Sequence, residues 1–325
     1  MSKNIIFKTK KSFFIKPASP YNFNSSIFKP SHYPDPLKIY EPNKYWFVLN
    51  LGKNFYGIKF ENQGTIKRPK IKITIFSRKK LLKYEFGRII DELSYRFEFQ
   101  RDISSFLKKF QKDSVLGKFI KKWYGMHGTC TQDLYGLLMI GIFLQNTIIK
   151  RTVQMTETML KKYGNKVRFD KKIVYSFWSP EKMSNIAEEE LRKLKVGYRA
   201  KLFIKLSASF VKEKVSEKKI RELSHEDKKK VLLKLYGVGP ETARILLTEA
   251  FHYYDIFDHV APWQQKIYSR LLFNKKMVPT SKIIKYVKNK WGNWANLAAS
   301  YIWEDIFWQK KKGKKIEWLE KEIRL

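Results

Sequence analysis

The chain has 325 residues, and 67 lysines and arginines against 30 acidic residues give it a formal charge of +37. Its 43% apolar and 16% aromatic content is enough for one large core or two modest ones, which excludes a disordered polycation. The interrupted apolar run Leu134–Leu144 is far short of the roughly 18 residues of a membrane span, and the single cysteine, Cys130, excludes an internal disulfide, a CxxC zinc site and a four-Cys cluster.

In chain order, residues 1–43 carry Pro17, Pro20, Pro30, Pro34, Pro36 and Pro42 among scattered Asn and Ser, and read as an irregular lead-in. Tyr45–Leu51, Phe55–Phe60 and Ile71–Phe76 are short, β-branched or aromatic runs separated by Gly-containing turns, which are strand and hairpin signals. A helix is expected over Lys79–Leu93, and the alternation in Tyr95–Phe99 predicts one more strand. From Ser104 the apolar period becomes helical. Helices are expected at Ser104–Gln111, Val115–Tyr124, Leu134–Leu144, Lys150–Tyr163, Ser184–Leu194 and Ala200–Val211. Ser224-His225-Glu226-Asp227 forms a capping box before Glu226–Leu235, and helices follow at Pro240–Phe251, Pro262–Phe273, Ser281–Lys290 and Asn293–Trp308. A charged end, Gln309–Leu325, closes the chain. The expected fold is α+β: an N-terminal antiparallel β-sheet domain over residues 1–100 and an all-α domain over 101–325.

The positive excess is spread along the chain, at +13, +11 and +13 over residues 1–100, 101–200 and 201–325. A folded surface of this charge binds phosphate polymers in a salt-dependent way, although lysine-rich composition alone would give the same count. With no signal-peptide core in the first 20 residues, an intracellular location in cytoplasm or nucleoid is expected.

The sharpest local signal is Leu235-Tyr236-Gly237-Val238-Gly239-Pro240-Glu241-Thr242-Ala243. One helix ends, two glycines turn the chain, and Pro240 stands at the first position of the next helix, where its missing N–H costs nothing. Such a helix–hairpin–helix points free N–H groups and a helix dipole outward, which suits a DNA phosphate. An ordinary helix–helix turn would satisfy the GxG alone. Asp258 follows 21 residues after Gly237, behind Ile256-Phe257 and ahead of Pro262–Phe273.

In these residues the chain resembles the helix–hairpin–helix DNA glycosylases, the superfamily of endonuclease III, 3-methyladenine DNA glycosylase II and 8-oxoguanine DNA glycosylase. The match covers roughly residues 95–310, and the strands before it suggest the three-part 3-methyladenine and 8-oxoguanine forms. The resemblance implies that Asp258 is the catalytic aspartate, with Asp255 the local competitor. Leu235, Gly237, Val238, Gly239, Glu241 and Thr242 would form the DNA-binding hairpin. Leu134–Thr147 is similar to the family's first core helix, whose closing loop enters the DNA stack, and this places Gln145 and Asn146 in that role. Asn293–Trp308 looks like the last helix, which makes Trp303, with Glu241, a base-pocket residue. Val196–Lys201 resembles a turn that precedes the hairpin.

Departures from the family pattern narrow the expected chemistry. Members that also cleave the backbone carry a lysine where this chain has Glu241, and a carboxylate cannot form their Schiff base. The guanine-reading Gln of the 8-oxoguanine enzymes falls on Ala299. The resemblance therefore implies a monofunctional glycosylase for a damaged, alkylated base in double-stranded DNA, working as a monomer without metal, cofactor, iron–sulfur cluster or membrane. The alternatives are an oxidised-guanine glycosylase with a relocated lysine and a non-catalytic DNA-binding protein. Glu304 and Asp305 read as a solvated helix face, His259 as structural or phosphate-facing, Lys310–Lys315 as a solvated or phosphate-touching tail and Cys130 as a small buried hydrophobe.

Overall fold

The computed structural model describes residues 3–52 and 54–318, so the last seven residues of the charged end lie outside the described residues. The first part holds β1 (Lys3–Ile6), β2 (Thr9–Ile15), α1 (Phe23–Ile27), β3 (Lys38–Glu41), β4 (Lys44–Leu51), β5 (Asn54–Asn62), β6 (Ile71–Ser77) and α2 (Lys83–Arg96). β2 to β6 form one antiparallel sheet in the order β2-β6-β5-β4-β3. Strand β4 is buried on both faces, which is why its sequence is a nearly continuous apolar run. Tyr45, Phe47 and Leu49 pack with Ile89, Leu93 and Phe97 on the α2 side. Trp46 and Val48 meet Val167, Phe169 and Val174 on the other.

Those three partners come from a hairpin, β7 (Asn165–Phe169) and β8 (Lys172–Ser176), set within the helical part of the chain. It pairs antiparallel with itself, and β7 pairs in parallel with β1. Residues 1–43, expected to be irregular, carry β1, β2, α1 and β3, and neither these strands nor the β7–β8 hairpin shows the hairpin signals of β4 to β6. The expected strand Tyr95–Phe99 is also corrected. Helix α2 runs through Arg96, and a turn with Glu98 at φ 51° then drives Phe97 and Phe99 into the core. The alternation was real, but a turn satisfies it as well as a strand.

The helices that follow are α3 (Ser104–Phe110), α4 (Gly117–Lys122), α5 (Leu134–Leu144), α6 (Ile149–Tyr163), α7 (Pro180–Ser184), α8 (Glu188–Arg192), α9 (Arg199–Lys212), α10 (Glu217–Arg221), α11 (His225–Leu233), α12 (Pro240–Glu249), α13 (Pro262–Phe273), α14 (Thr280–Trp291) and α15 (Ala295–Lys311). The single helix expected over Ser184–Leu194 is instead the pair α7 and α8. The helices build two apolar clusters. One gathers α5, α6, α9, α11 and α12 around Phe143, Met159, Phe203 and Leu246. The other gathers α3, α4, α14 and α15 around Phe106, Ile283, Trp291 and Tyr301.

Helix α15 is buried nearly all round, and this corrects the reading of Glu304 and Asp305 as solvated: they are 5% and 4% exposed. Asp305 accepts from Trp123 Nε1 at 2.8 Å and pairs with Lys122. Glu304 accepts from Ser31 Oγ, and burial pushes its carboxyl up.

Candidate active site and DNA-facing hairpin

The site is built where the two helical clusters meet. After α12 the chain runs irregularly from Tyr254 to Ala261, with Tyr253 and Ile256 packed on the first cluster and Tyr254, Phe257 and Val260 on the second. Tyr254 anchors this segment. Its hydroxyl donates to Glu98 Oε2, its carbonyl accepts from Asn296 N at 2.7 Å, and the Arg101 guanidinium lies 4.0 Å from its ring centroid. Phe257 is held edge-on to Tyr268 at 5.7 Å. With Tyr254, Phe257 and Val260 buried, Asp255 and Asp258 are turned outward.

Only one of the two aspartates reaches the recess beside α12. This hollow of ≈ 220 Å³ is lined by His225, Lys229, Pro240, Glu241, Arg244, Leu247, Ile256, Asp258 and His259. Asp258 and Glu241 are thus brought together, while Asp255 is not among the lining residues. Arg244 stands between the carboxylates. Its Nε and Nη2 donate to Glu241 at 3.1 and 2.5 Å, and Nε is 3.7 Å from Asp258 Oδ1. Partial burial works to raise the Glu241 carboxyl, but Arg244 and, less strongly, His259 override it and hold it below its ordinary value. His259 Nε2 lies 3.7 Å from Glu241 Oε1. Arg244 and Lys229 were missed in the sequence; the only available sign of Arg244 was its place three residues after Glu241, one turn along the same helix face.

The hairpin leading into this helix is Lys234–Gly239. Leu235 and Val238 are buried and pin it to the first cluster, with Val238 N donating to Leu235 O at 3.1 Å. The two glycines have different reasons. Gly237 has φ 76°, a conformation that penalises any side chain. Gly239 has φ −89° and ψ 178°, open to any residue, and a Cβ there would meet nothing within 4 Å. Gly239 is also the N-cap of α12, with Pro240 at the first helical position and no side-chain cap. The first N–H groups of an α-helix have no partner within the helix, and here Gly239 leaves the approach to that end free of a side chain. Thr242 is half-buried on the same turn.

Gln145 and Asn146 close α5 away from this recess. Gln145 caps the helix, and Asn146 is exposed at φ 44° with its amide 3.4 Å from the Tyr198 hydroxyl. Buried Arg199 braces the turn by donating to the carbonyls of Ile142, at 3.1 Å, and Gln145. Leu144, Ile148 and Tyr198 are exposed around it. Trp303 is half-buried on α15, where it meets Phe307 at 4.9 Å and packs with Ile267 of α13 and Ile306. It is not among the residues lining the Asp258 recess. A larger hollow of ≈ 630 Å³ near the sheet is lined by Asn24 and Asn62, but both amides donate to Asn43 Oδ1, at 3.1 and 3.0 Å. Among the described residues no group of three or more His, Cys, Asp or Glu is placed to hold a metal.

No protein-family model matches the chain. A DNA-3-methyladenine glycosylase of Bacillus subtilis is 22% identical over 215 residues, covering 65% of this chain and 70% of its own length. The 3-methyladenine DNA glycosylase structure from Archaeoglobus fulgidus superposes with a TM-score of 0.74 at 15% identity, covering 94% of this chain and 100% of that one. The 8-oxoguanine glycosylase/lyase of Clostridium acetobutylicum gives 0.64 at 19% identity, covering 92% and 99%. The fold of this chain is that of these DNA glycosylase structures, in keeping with the helix–hairpin–helix glycosylases that its sequence resembles.

Proposed function

We propose that this protein is a DNA glycosylase of base-excision repair that flips a damaged base from double-stranded DNA and hydrolyses its N-glycosidic bond with Asp258. The observation that carries this reading is the recess itself, with an outward carboxylate beside the N-terminus of a helix whose entry turn is clear for a phosphate. Breaking an N-glycosidic bond builds positive charge on the sugar, and a preorganised carboxylate stabilises it and orients water. The target base must leave the stack first, and the gap it leaves would be filled from the braced turn at Gln145 and Asn146. Glu241 in place of an amine supports hydrolysis without backbone cleavage. The alkylated-base preference rests on the resemblance and on the curated relative's name. Lys229, which lines the same recess, favours one second reading: a glycosylase with lyase activity that draws its amine from α11.

The test is a panel of duplexes, each with one alkylated, oxidised or deaminated base, followed by alkali to break strands where a base was removed. Cleavage at alkylated positions by the wild type is expected. Asp258→Asn should lose two to three powers of ten in single-turnover rate, about 3–4 kcal/mol, as losses of single preorganised groups do. Asp255→Asn should stay near the wild type. The opposite result for the two aspartates would move the catalytic role three residues upstream, and no excision from any duplex would leave a DNA-binding protein.

A further inference from the structure

We propose that Glu241 is a positioning residue that acts on the reaction through Arg244, by holding the guanidinium's charge away from Asp258. The proposal rests on the reading of Asp258 as the carboxylate that meets the developing sugar cation. Three charges share one wall of the recess. Arg244 is the least exposed of them, with its side chain 19% accessible against 47% for Glu241 and 57% for Asp258. It sits three residues after Glu241 on α12 and grips that carboxylate with two donors, at 3.1 and 2.5 Å. Asp258 Oδ1, at 3.7 Å from Arg244 Nε, is just outside hydrogen-bonding reach.

This arrangement answers a difficulty in the chemistry. A bare guanidinium beside Asp258 would repel the sugar cation that Asp258 has to stabilise. Paired to Glu241, Arg244 forms a locally neutral unit, and its hold on Asp258 is limited to the looser 3.7 Å approach, which leaves more of that negative charge for the transition state. Its N–H groups toward Glu241 are already spent, so it is not drawn across to Asp258. The other ionisable groups facing the recess are His225 and Lys229 from α11 and His259 beside Asp258. The nearest of them to Glu241 is His259, at 3.7 Å, which adds a weaker hold on the same carboxylate.

The test is a double-mutant cycle on a methylated duplex, read as single-turnover rate and, separately, as affinity for unmodified duplex. Glu241→Gln should release Arg244 toward Asp258 and slow excision roughly tenfold to a hundredfold, less than loss of a preorganised group itself. Affinity should be unchanged or tighter, because a negative charge near phosphate is gone. Glu241→Gln combined with Arg244→Gln should recover much of the rate, since the misdirected cation is removed. A structural role predicts the reverse, with the double variant slower than either single one and melting earlier. If Asp258→Asn is inactive while Glu241→Gln keeps its rate, or the double variant is no faster than Glu241→Gln, the proposal falls and the assignment of Asp258 stands. If Asp258→Asn excises normally, both fall.

Discussion

The two hairpin glycines allow folding and binding to be perturbed separately. Gly239 takes φ −89° and ψ 178° with open space at its Cβ, so Gly239→Leu should cost no more than the N-cap preference of Gly over Leu, about 0.5–1 kcal/mol. A side chain there projects into the space before the first N–H groups of α12. Losing one or two hydrogen bonds to a charged phosphate, at about 1.5–3 kcal/mol each, should weaken duplex binding by at least tenfold. Gly237 at φ 76° is the converse case: Gly237→Ala should cost about 1–2 kcal/mol of stability through left-handed strain, although the nearest atom, Leu202 Cδ2 at 3.5 Å, leaves room for a methyl. Urea denaturation measures the first quantity, and fluorescence anisotropy of a labelled duplex at several salt concentrations the second. Neutral N–H donors release no counter-ions of their own, so Gly239→Leu should lower affinity at every salt concentration with little change in slope. Wild-type affinity for Gly239→Leu would reduce the hairpin to a turn. A larger stability loss from Gly239→Leu than from Gly237→Ala would refute the backbone argument.

How much of this was visible in the sequence depends on the range of the interactions. The hairpin was legible because GVGPE is local chemistry: a positive φ, an N-cap and an N1 proline within four residues. Packing explains why two aspartates stand outward here, since burial of Tyr254, Phe257 and Val260 leaves Asp255 and Asp258 exposed, but no local pattern records that only Asp258 lines the recess. The lead-in strands were not legible. β2 is an edge strand exposed at Lys10, Lys11, Ser12 and Phe14, so it shows no clean apolar alternation, and β1 is defined by pairing with β7 some 160 residues away, which no local pattern records. Glu304 and Asp305 looked solvated because two adjacent carboxylates usually are. Their partners Ser31, Trp123 and Lys122 come from distant segments. Arg244 shows the limit most clearly: its bond to Glu241 is a one-turn contact, whereas its approach to Asp258 exists only once the irregular segment is folded back against α12.

Two further outcomes are expected. Borohydride reduction during turnover should trap no covalent protein–DNA species, since Glu241 offers no amine; trapping abolished by Lys229→Ala would instead make α11 the source of a nucleophile. The second concerns acid stability and the ion network joining α2, α5 and α10. Arg221 donates two 2.7 Å bonds to Glu92 and also pairs with Glu217, while Glu217 accepts from Leu134 N at 2.7 Å. Burial works to raise the Glu92 carboxyl, yet Arg96 and Arg221 override it and bring it down to about 2. A carboxylate depressed on folding stabilises the protein above its unfolded pKa and loses that contribution as pH falls toward the folded value. The window here runs from about 4.5 down to about 2, and the full contribution is on the order of 3 kcal/mol. Burial pushes Glu217 the other way, so the network's own slope is a difference of opposing parts. Glu92→Gln isolates one of them: it should destabilise the protein at neutral pH and flatten the fall in urea midpoint below pH 4.5. A variant whose midpoint still falls with acid as steeply as the wild type's would show that Glu92 does not carry the acid sensitivity.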